Sequence, residues 1–248
     1  MRSCVNSPRL ESFLILLTVF VSSAVGQASK PRIPTGGRVA VVVDERLSAL
    51  RSAPNLSARL EQRLSRGRFV AIVGTQRGAD GLMYYNVKVS RRRRGWLQVG
   101  AVVSLSNAAD DDRLMRLVQA SEDFDLIVRA RIFLVAFPHS PLRPTILRLL
   151  AEAAEAAAGK LSRDAERRLN RKEMIAGGAP EFSYYMNFNG LDRYNRQGVK
   201  FKFDPVGKRF HYDGAAWREI LRRYPLSKEA EEARKRLDEL STRHGQIE

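Results

Sequence analysis

The chain has 248 residues, enough for one large or two small domains, and its 44% hydrophobic share leaves room for a packed core. A net charge of +16 favours anionic partners, although arginine far outnumbers lysine, a bias that a GC-rich genome alone produces. The one cysteine, Cys4, precedes the first apolar stretch, so a chain cut behind that stretch has neither a disulfide nor a thiol nucleophile.

The N-terminus reads as an export signal. Arg2 and Arg9 make it positive, and Glu11 is the one untidy residue there. Phe13 to Val21 is almost wholly apolar, and no charge appears from Ser12 to Ser29. Ala24-Val25-Gly26 then supplies small residues at the −3 and −1 positions of a cleavage site. Cleavage is expected after Gly26, with Ala28 as the second choice, giving a periplasmic or extracellular mature chain. An uncleaved membrane anchor is the rival, since the uncharged span of about 18 residues lies at the lower limit for crossing a bilayer. Residues 27–37 hold Pro and Gly without periodicity and read as a linker.

From Arg38 the texture becomes that of short strands. Val39–Val43, Phe69–Val73, Met83–Val89 and Trp96–Val103 are β-rich runs. Turn signals separate them at Ser52-Ala53-Pro54-Asn55, Arg66-Gly67, Arg77 to Gly81, and Arg94-Gly95. This spacing predicts a small barrel over residues 38–107. The segment resembles bacterial SH3-like (SH3b) domains. The resemblance is carried by Leu50 to Pro54, the Leu64 to Val70 strand entry, Tyr84-Tyr85-Asn86-Val87, and Arg94-Gly95-Trp96-Leu97. The Arg91-Arg92-Arg93-Arg94 run departs from it, standing where a short polar turn is expected. The resemblance implies a recognition module for peptidoglycan or a peptide.

Charge divides the chain near Asn107. Residues 27–107 hold fifteen Lys and Arg against four Asp and Glu, whereas residues 108–248 hold twenty-six against twenty-two. Past that point the period is helical. Asp110-Asp111-Asp112 offers N-capping carboxylates, and Leu114, Leu117 and Val118 share one face. A second helix is expected from about Glu122 to before Pro138. A third runs from Pro141 to Ala158 and closes at Gly159, and a fourth is capped by Ser162 and ends at Gly177-Gly178. Phe182–Asn189 is an aromatic stretch, read as a short helix. Residues 199–212 read as a β-hairpin with Asp204-Pro205-Val206-Gly207 as its turn. Two helices follow, Ala215–Arg223 and Lys228–Thr242, the second capped by Ser227.

An internal repeat lies in this half. Phe137-Pro138-His139-Ser140 returns as Tyr224-Pro225-Leu226-Ser227, at an offset of 87. The device is a helix that ends at an aromatic, a proline that stops it, and a serine that starts the next. The second copy, carried by Trp217, Ile220, Leu221, Tyr224, Pro225, Ala230, Ala233 and Leu237, resembles tetratricopeptide-like repeats of bacterial envelope proteins. That resemblance implies a protein-interaction scaffold. The interval does not fit whole 34-residue repeats, so a regular solenoid is not expected.

The predicted fold class is thus α+β: a small SH3-like β-barrel, then a helical domain over 108–248 of tetratricopeptide-like hairpins with the β-hairpin inserted. Candidate ligand-binding residues are Arg91, Arg92, Arg93 and Arg94, with Trp96, Tyr84 and Tyr85. Guanidiniums pair bidentately with carboxylate and phosphate, and the aromatics could line a peptide groove. The plainer reading is a solvated hairpin tip over core aromatics. Candidate partner-binding residues are Trp217, Tyr224, Phe210 and Tyr212, which as readily form a core under the helices. His139, His211 and His244 lie at no metal-ligand spacing, and no nucleophile, zinc or phosphate-loop motif occurs. The expectation is an exported, non-catalytic envelope-binding protein without cofactor or metal. The rivals are a binder of anionic wall polymer, with nucleic acid disfavoured by export, and a cell-wall hydrolase with an unfamiliar site.

Overall fold

The computed structural model describes residues 36–107 and 109–244. The export signal, cleavage after Gly26, Cys4 and the linker up to residue 35 lie outside the described residues. So does the side chain of His244.

The chain is a mixed α+β structure. Seven strands come first: Arg38–Val42 (β1), Ala49–Arg51 (β2), Leu60–Arg63 (β3), Phe69–Arg77 (β4), Met83–Lys88 (β5), Arg94–Gln98 (β6) and Val102–Ser104 (β7). They form one antiparallel sheet in the order β3-β2-β6-β5-β4-β1-β7. β3 and β7 are its edges, and no strand pairing joins them into a closed barrel. The apolar run that reads as one strand over Trp96–Val103 is broken by a 3₁₀ turn at Val99–Ala101. This break matters for topology. β6 pairs with β5 and β2, while β7 crosses to the far edge and pairs with β1.

Strand alternation gives the sheet two apolar faces. Ala40, Val42, Val70, Ile72, Val87 and Leu97 join a core enclosed by the sheet. Val41, Val43, Phe69 and Val103 point the other way and join the core of the helices. The register agrees, with Val41 opposite both Phe69 and Val103. Gly95 lets β2 and β6 approach, since a Cβ there would lie 2.8 Å from the Arg51 carbonyl oxygen.

The helices are Asp110–Gln119 (α1), Asp123–Ala136 (α2), Arg143–Arg168 (α3), Arg171–Gly177 (α4), Glu181–Met186 (α5) and Asp192–Arg196 (α6). The hairpin Phe201–Asp204 (β8) and Arg209–Tyr212 (β9) follows, then Ala215–Arg223 (α7) and Glu229–His244 (α8). Residues 143–168 form one helix of 26 residues, about 39 Å long, where the sequence suggests two. Gly159 ends nothing, because a glycine within a turn of strong helix formers costs only about 1 kcal/mol. Ser162 does not cap. Its hydroxyl donates back to the Ala158 carbonyl (2.8 Å) and accepts the Phe210 N–H (2.8 Å), which seats the hairpin on α3.

Two other expected caps are also used differently. Asp110 accepts the backbone N–H of Ser104 at 2.6 Å and so fastens α1 to β7. The Ser227 hydroxyl is buried without a partner among the described residues, and α8 begins at Glu229. The repeat, by contrast, extends to the hydrogen bonds. Phe137 and Tyr224 donate their N–H to the carbonyls of Phe133 and Ile220, and Ser140 and Ser227 donate theirs to Phe137 and Tyr224.

The junction near Asn107 is tightly bonded. Arg113 on α1 donates to the carbonyls of Val102 (2.8 Å) and Gly100 (2.7 Å). Buried Arg129 on α2 donates to the Val43 carbonyl (3.3 Å) and the Ser121 hydroxyl (2.5 Å).

Candidate functional site

A basic cleft of about 510 Å³ opens between two turns of the sheet. One is the β3–β4 turn, Ser65 to Arg68, and the other is the β5–β6 tip, Ser90 to Arg93. Gly67 takes a φ of +81°, a left-handed conformation that costs a glycine little, and its N–H donates to the Val42 carbonyl at 2.8 Å. The tip closes through the Val89 N–H to the Arg93 carbonyl at 2.9 Å.

Arg66, Arg68, Arg92 and Arg93 line the cleft, and no acidic side chain does. Three of the four are held in place. Arg66 forms a two-pronged pair with Asp125 of α2, Nη1 to Oδ1 2.8 Å and Nη2 to Oδ2 3.3 Å, while its buried Nε has no partner among the described residues. Arg68 Nη2 donates to the Val89 carbonyl at 3.4 Å, and Arg93 Nη1 donates to Gln62 Oε1 at 2.5 Å. Arg92 makes no ion pair among the described residues. The Arg66 hydrogen bond holds the Asp125 carboxyl below the usual aspartate range. Arg66 is partly buried and the other three are exposed, and guanidiniums gathered around one concave opening favour phosphate or carboxylate oxygens.

The structure divides the predicted arginine run. All four are exposed, but only Arg92 and Arg93 line the cleft. It also adds Arg66 and Arg68, which in the sequence stand only as the entry to a strand. Their signal is an Arg-Gly-Arg triplet at a turn, where a left-handed glycine presents both neighbours on one rim.

Tyr84, Tyr85 and Trp96 do not share a groove. Trp96 stands opposite Asn86 in the β5–β6 ladder, so Tyr85, one residue away, projects from the other face. Tyr85 packs against the enclosed core. Tyr84 is buried, and its hydroxyl donates to Asp80 Oδ2 at 2.7 Å. Trp96, like Tyr85, is only partly buried.

Of the partner-binding candidates, Trp217 is fully buried, and its indole N–H donates to Glu155 Oε1 at 2.7 Å. The half-buried Tyr224 accepts from Arg143 Nε at 2.9 Å, which ties one helical hairpin to the other. Phe210 and Tyr212 are buried on α3, where they form the floor of a second, larger groove. Tyr212 accepts the Ala216 N–H at 2.7 Å, and burial pushes its phenol well above the usual value. The four serve as packing residues, and none of them offers a large exposed ring.

Among the described residues, no group of three His, Cys, Asp or Glu could hold a metal ion. No helix among them is long and apolar enough to cross a membrane. Comparison with family models, with curated proteins and with solved structures finds no match to this chain.

Proposed function

We propose that this chain is a non-catalytic binding protein of the bacterial cell envelope, and that its β-domain grips an anionic stretch of a wall polymer. The observation that carries this is the cleft, where four guanidiniums line one opening and no carboxylate does. A polymer of phosphate or carboxylate groups meets such a site as a line of charges, each replacing a released counterion. The export signal in the sequence and the SH3-like resemblance of residues 38–107 support the envelope setting. The paired helical hairpins, α2 with α3 and α7 with α8, support a second role as a scaffold for a protein partner.

The test is retention on isolated cell-wall sacculi, with and without their covalently attached anionic polymer, across a salt series. Binding is expected to need the polymer and to fall at least tenfold between about 50 and 200 mM salt. Arg92→Gln/Arg93→Gln should weaken it by about tenfold or more. Salt-insensitive retention on stripped sacculi would instead favour a peptide-recognising groove. Release of soluble wall fragments would establish a hydrolase and overturn the non-catalytic reading.

A further inference from the structure

The helical half holds a groove that the β-domain reading does not use. It has a volume of about 750 Å³, within the roughly 300–1,000 Å³ span of small-ligand sites. α3 and β9 form its sides, α4 and α5 one end and α8 the other. Its floor is aromatic, built from Tyr185, Phe210 and Tyr212.

The charges around it fall into two sets. Some satisfy one another: Lys208 pairs with Glu181 at 2.7 Å, and Arg236 with Glu155 at 3.8 Å and Glu239 at 3.6 Å. Others do not. Arg163 and Glu166 on α3, Arg171 on α4 and Arg209 on β9 are exposed and form no ion pair among the described residues.

A second observation comes from the floor. Tyr185 is only 4% exposed, and its ring stacks on Phe203 with centroids 4.2 Å apart. Its hydroxyl nevertheless makes no hydrogen bond among the described residues. Burial pushes this phenol up, with Glu181 and, more weakly, Glu166 adding to the effect and Lys208 opposing it. The hydroxyl is the solvent-facing edge of an otherwise enclosed ring, placed to donate to a ligand lying in the groove.

We propose that this groove binds a short acidic peptide in extended form. The unpaired arginines take carboxylates, bidentately where both oxygens reach. The Tyr185 hydroxyl donates to a further carbonyl or carboxylate oxygen. Glu166 accepts a backbone N–H or an amine of the peptide. Phe210 and Tyr212 give an apolar side chain a surface to cover. Polyphosphate fits poorly, because it offers the unpaired Glu166 no N–H donor. The groove thus differs in kind from the β-domain cleft, whose lining carries no acid.

The test is an array of labelled tetrapeptides rich in Glu and Asp with one Phe or Tyr. A matched array carries Gln and Asn instead. Binding to the full chain is read by fluorescence anisotropy. Members of the acidic array are expected to bind and their amide counterparts to fail. Arg171→Gln/Arg209→Gln should weaken the binders about tenfold or more, and Tyr185→Phe about threefold. Both arginines are exposed, so the double variant should keep the wild-type circular dichroism spectrum. Arg92→Gln/Arg93→Gln, in the other site, should leave peptide binding unchanged. Three outcomes overturn the proposal: no acid-selective binder in the array, binders indifferent to the loss of Arg171 and Arg209, or binders lost with Arg92 and Arg93. None of them bears on whether the β-domain holds a wall polymer.

Discussion

The Arg66 guanidinium and the Asp125 carboxylate meet through two pairs of atoms, an ion-pair contact at 2.8 Å and a hydrogen bond at 3.3 Å, across the seam between sheet and helices. Arg66 has a side chain only 13% exposed, while Asp125 is open to solvent at 56%. The pair therefore fixes the arginine more than it stabilises the fold, for an ion pair with one wet partner contributes about 0–1 kcal/mol. Asp125 also tempers the positive potential of the cleft. Asp125→Asn should tighten binding of inorganic polyphosphate about two- to fivefold at low salt, since a guanidinium is released from competition. Titration calorimetry at two salt concentrations checks this, and unchanged affinity would show that Arg66 plays no part in binding.

The two halves of the arginine run should behave differently. Arg92→Gln/Arg93→Gln is expected to lower the salt dependence of polyphosphate binding by about two counterions, one for each guanidinium removed. Arg91→Gln/Arg94→Gln removes the same formal charge but leaves the cleft lining intact. It should reduce affinity only slightly, through the longer-range field. Equal weakening by both variants would mean that charge alone matters and that the cleft has no special role.

Buried Arg129 should control whether sheet and helices unfold together. Its side chain holds the Val43 carbonyl and the Ser121 hydroxyl, and the two halves share an apolar core through Val41, Val43, Phe69 and Val103. The wild-type chain should therefore show one denaturation transition by both near- and far-UV circular dichroism. Arg129→Met leaves those two acceptors unmet at a cost of about 2–3 kcal/mol. Two separated transitions in the wild type would show that the common core does not couple the halves.

Acid sensitivity should trace in part to Asp44. The Arg46 side chain, hydrogen-bonded at 2.9 and 2.6 Å, is the largest influence holding its carboxyl below the ordinary 3.8. A depressed folded-state value means that Asp44 stabilises the fold fully above its unfolded value. That stabilisation is lost as the pH falls below about 4 and through the folded value. Asp44→Asn should lower stability at pH 7 and flatten the acid limb of a urea midpoint series. A variant that loses stability equally at pH 7 and pH 3 would remove the carboxylate from that role.

The two tryptophans give an optical check on the packing. Trp217 is fully buried and Trp96 half exposed. Trp96→Phe should leave a blue-shifted emission that acrylamide barely quenches. Trp217→Ala should cost about 3–5 kcal/mol and leave the quenchable signal.

The sequence discloses most of this architecture where period and punctuation agree. The strand cores, the hairpin over residues 199–212 and the paired helix-stop motifs are all legible, because alternation of 2, a turn tetrapeptide and an aromatic-proline break are local signals. β2 and β3 are not, being three and four residues long with little alternation. Gly159 and Ser162 mislead for the opposite reason. Both are local stop or start signals, overridden here by packing against β9 and α7. The cleft is half legible. Charge density marks Arg92 and Arg93, but only the fold brings Arg66 and Arg68 across from another turn. Of the aromatic candidates, Tyr84, Phe210, Tyr212 and Trp217 are buried, because ring size predicts burial at least as well as binding.

The unbroken α3 has a mechanical consequence. It carries one wall of the acidic-peptide groove, and α2, its packed neighbour, carries the carboxylate that anchors the cleft's Arg66. Gly159 lies inside one continuous helix and the core continues into the sheet, so both openings sit on one packed body. On the two proposals above, such a body would act as a spacer bracket, with a strand of wall held at one end and a captured tail at the other.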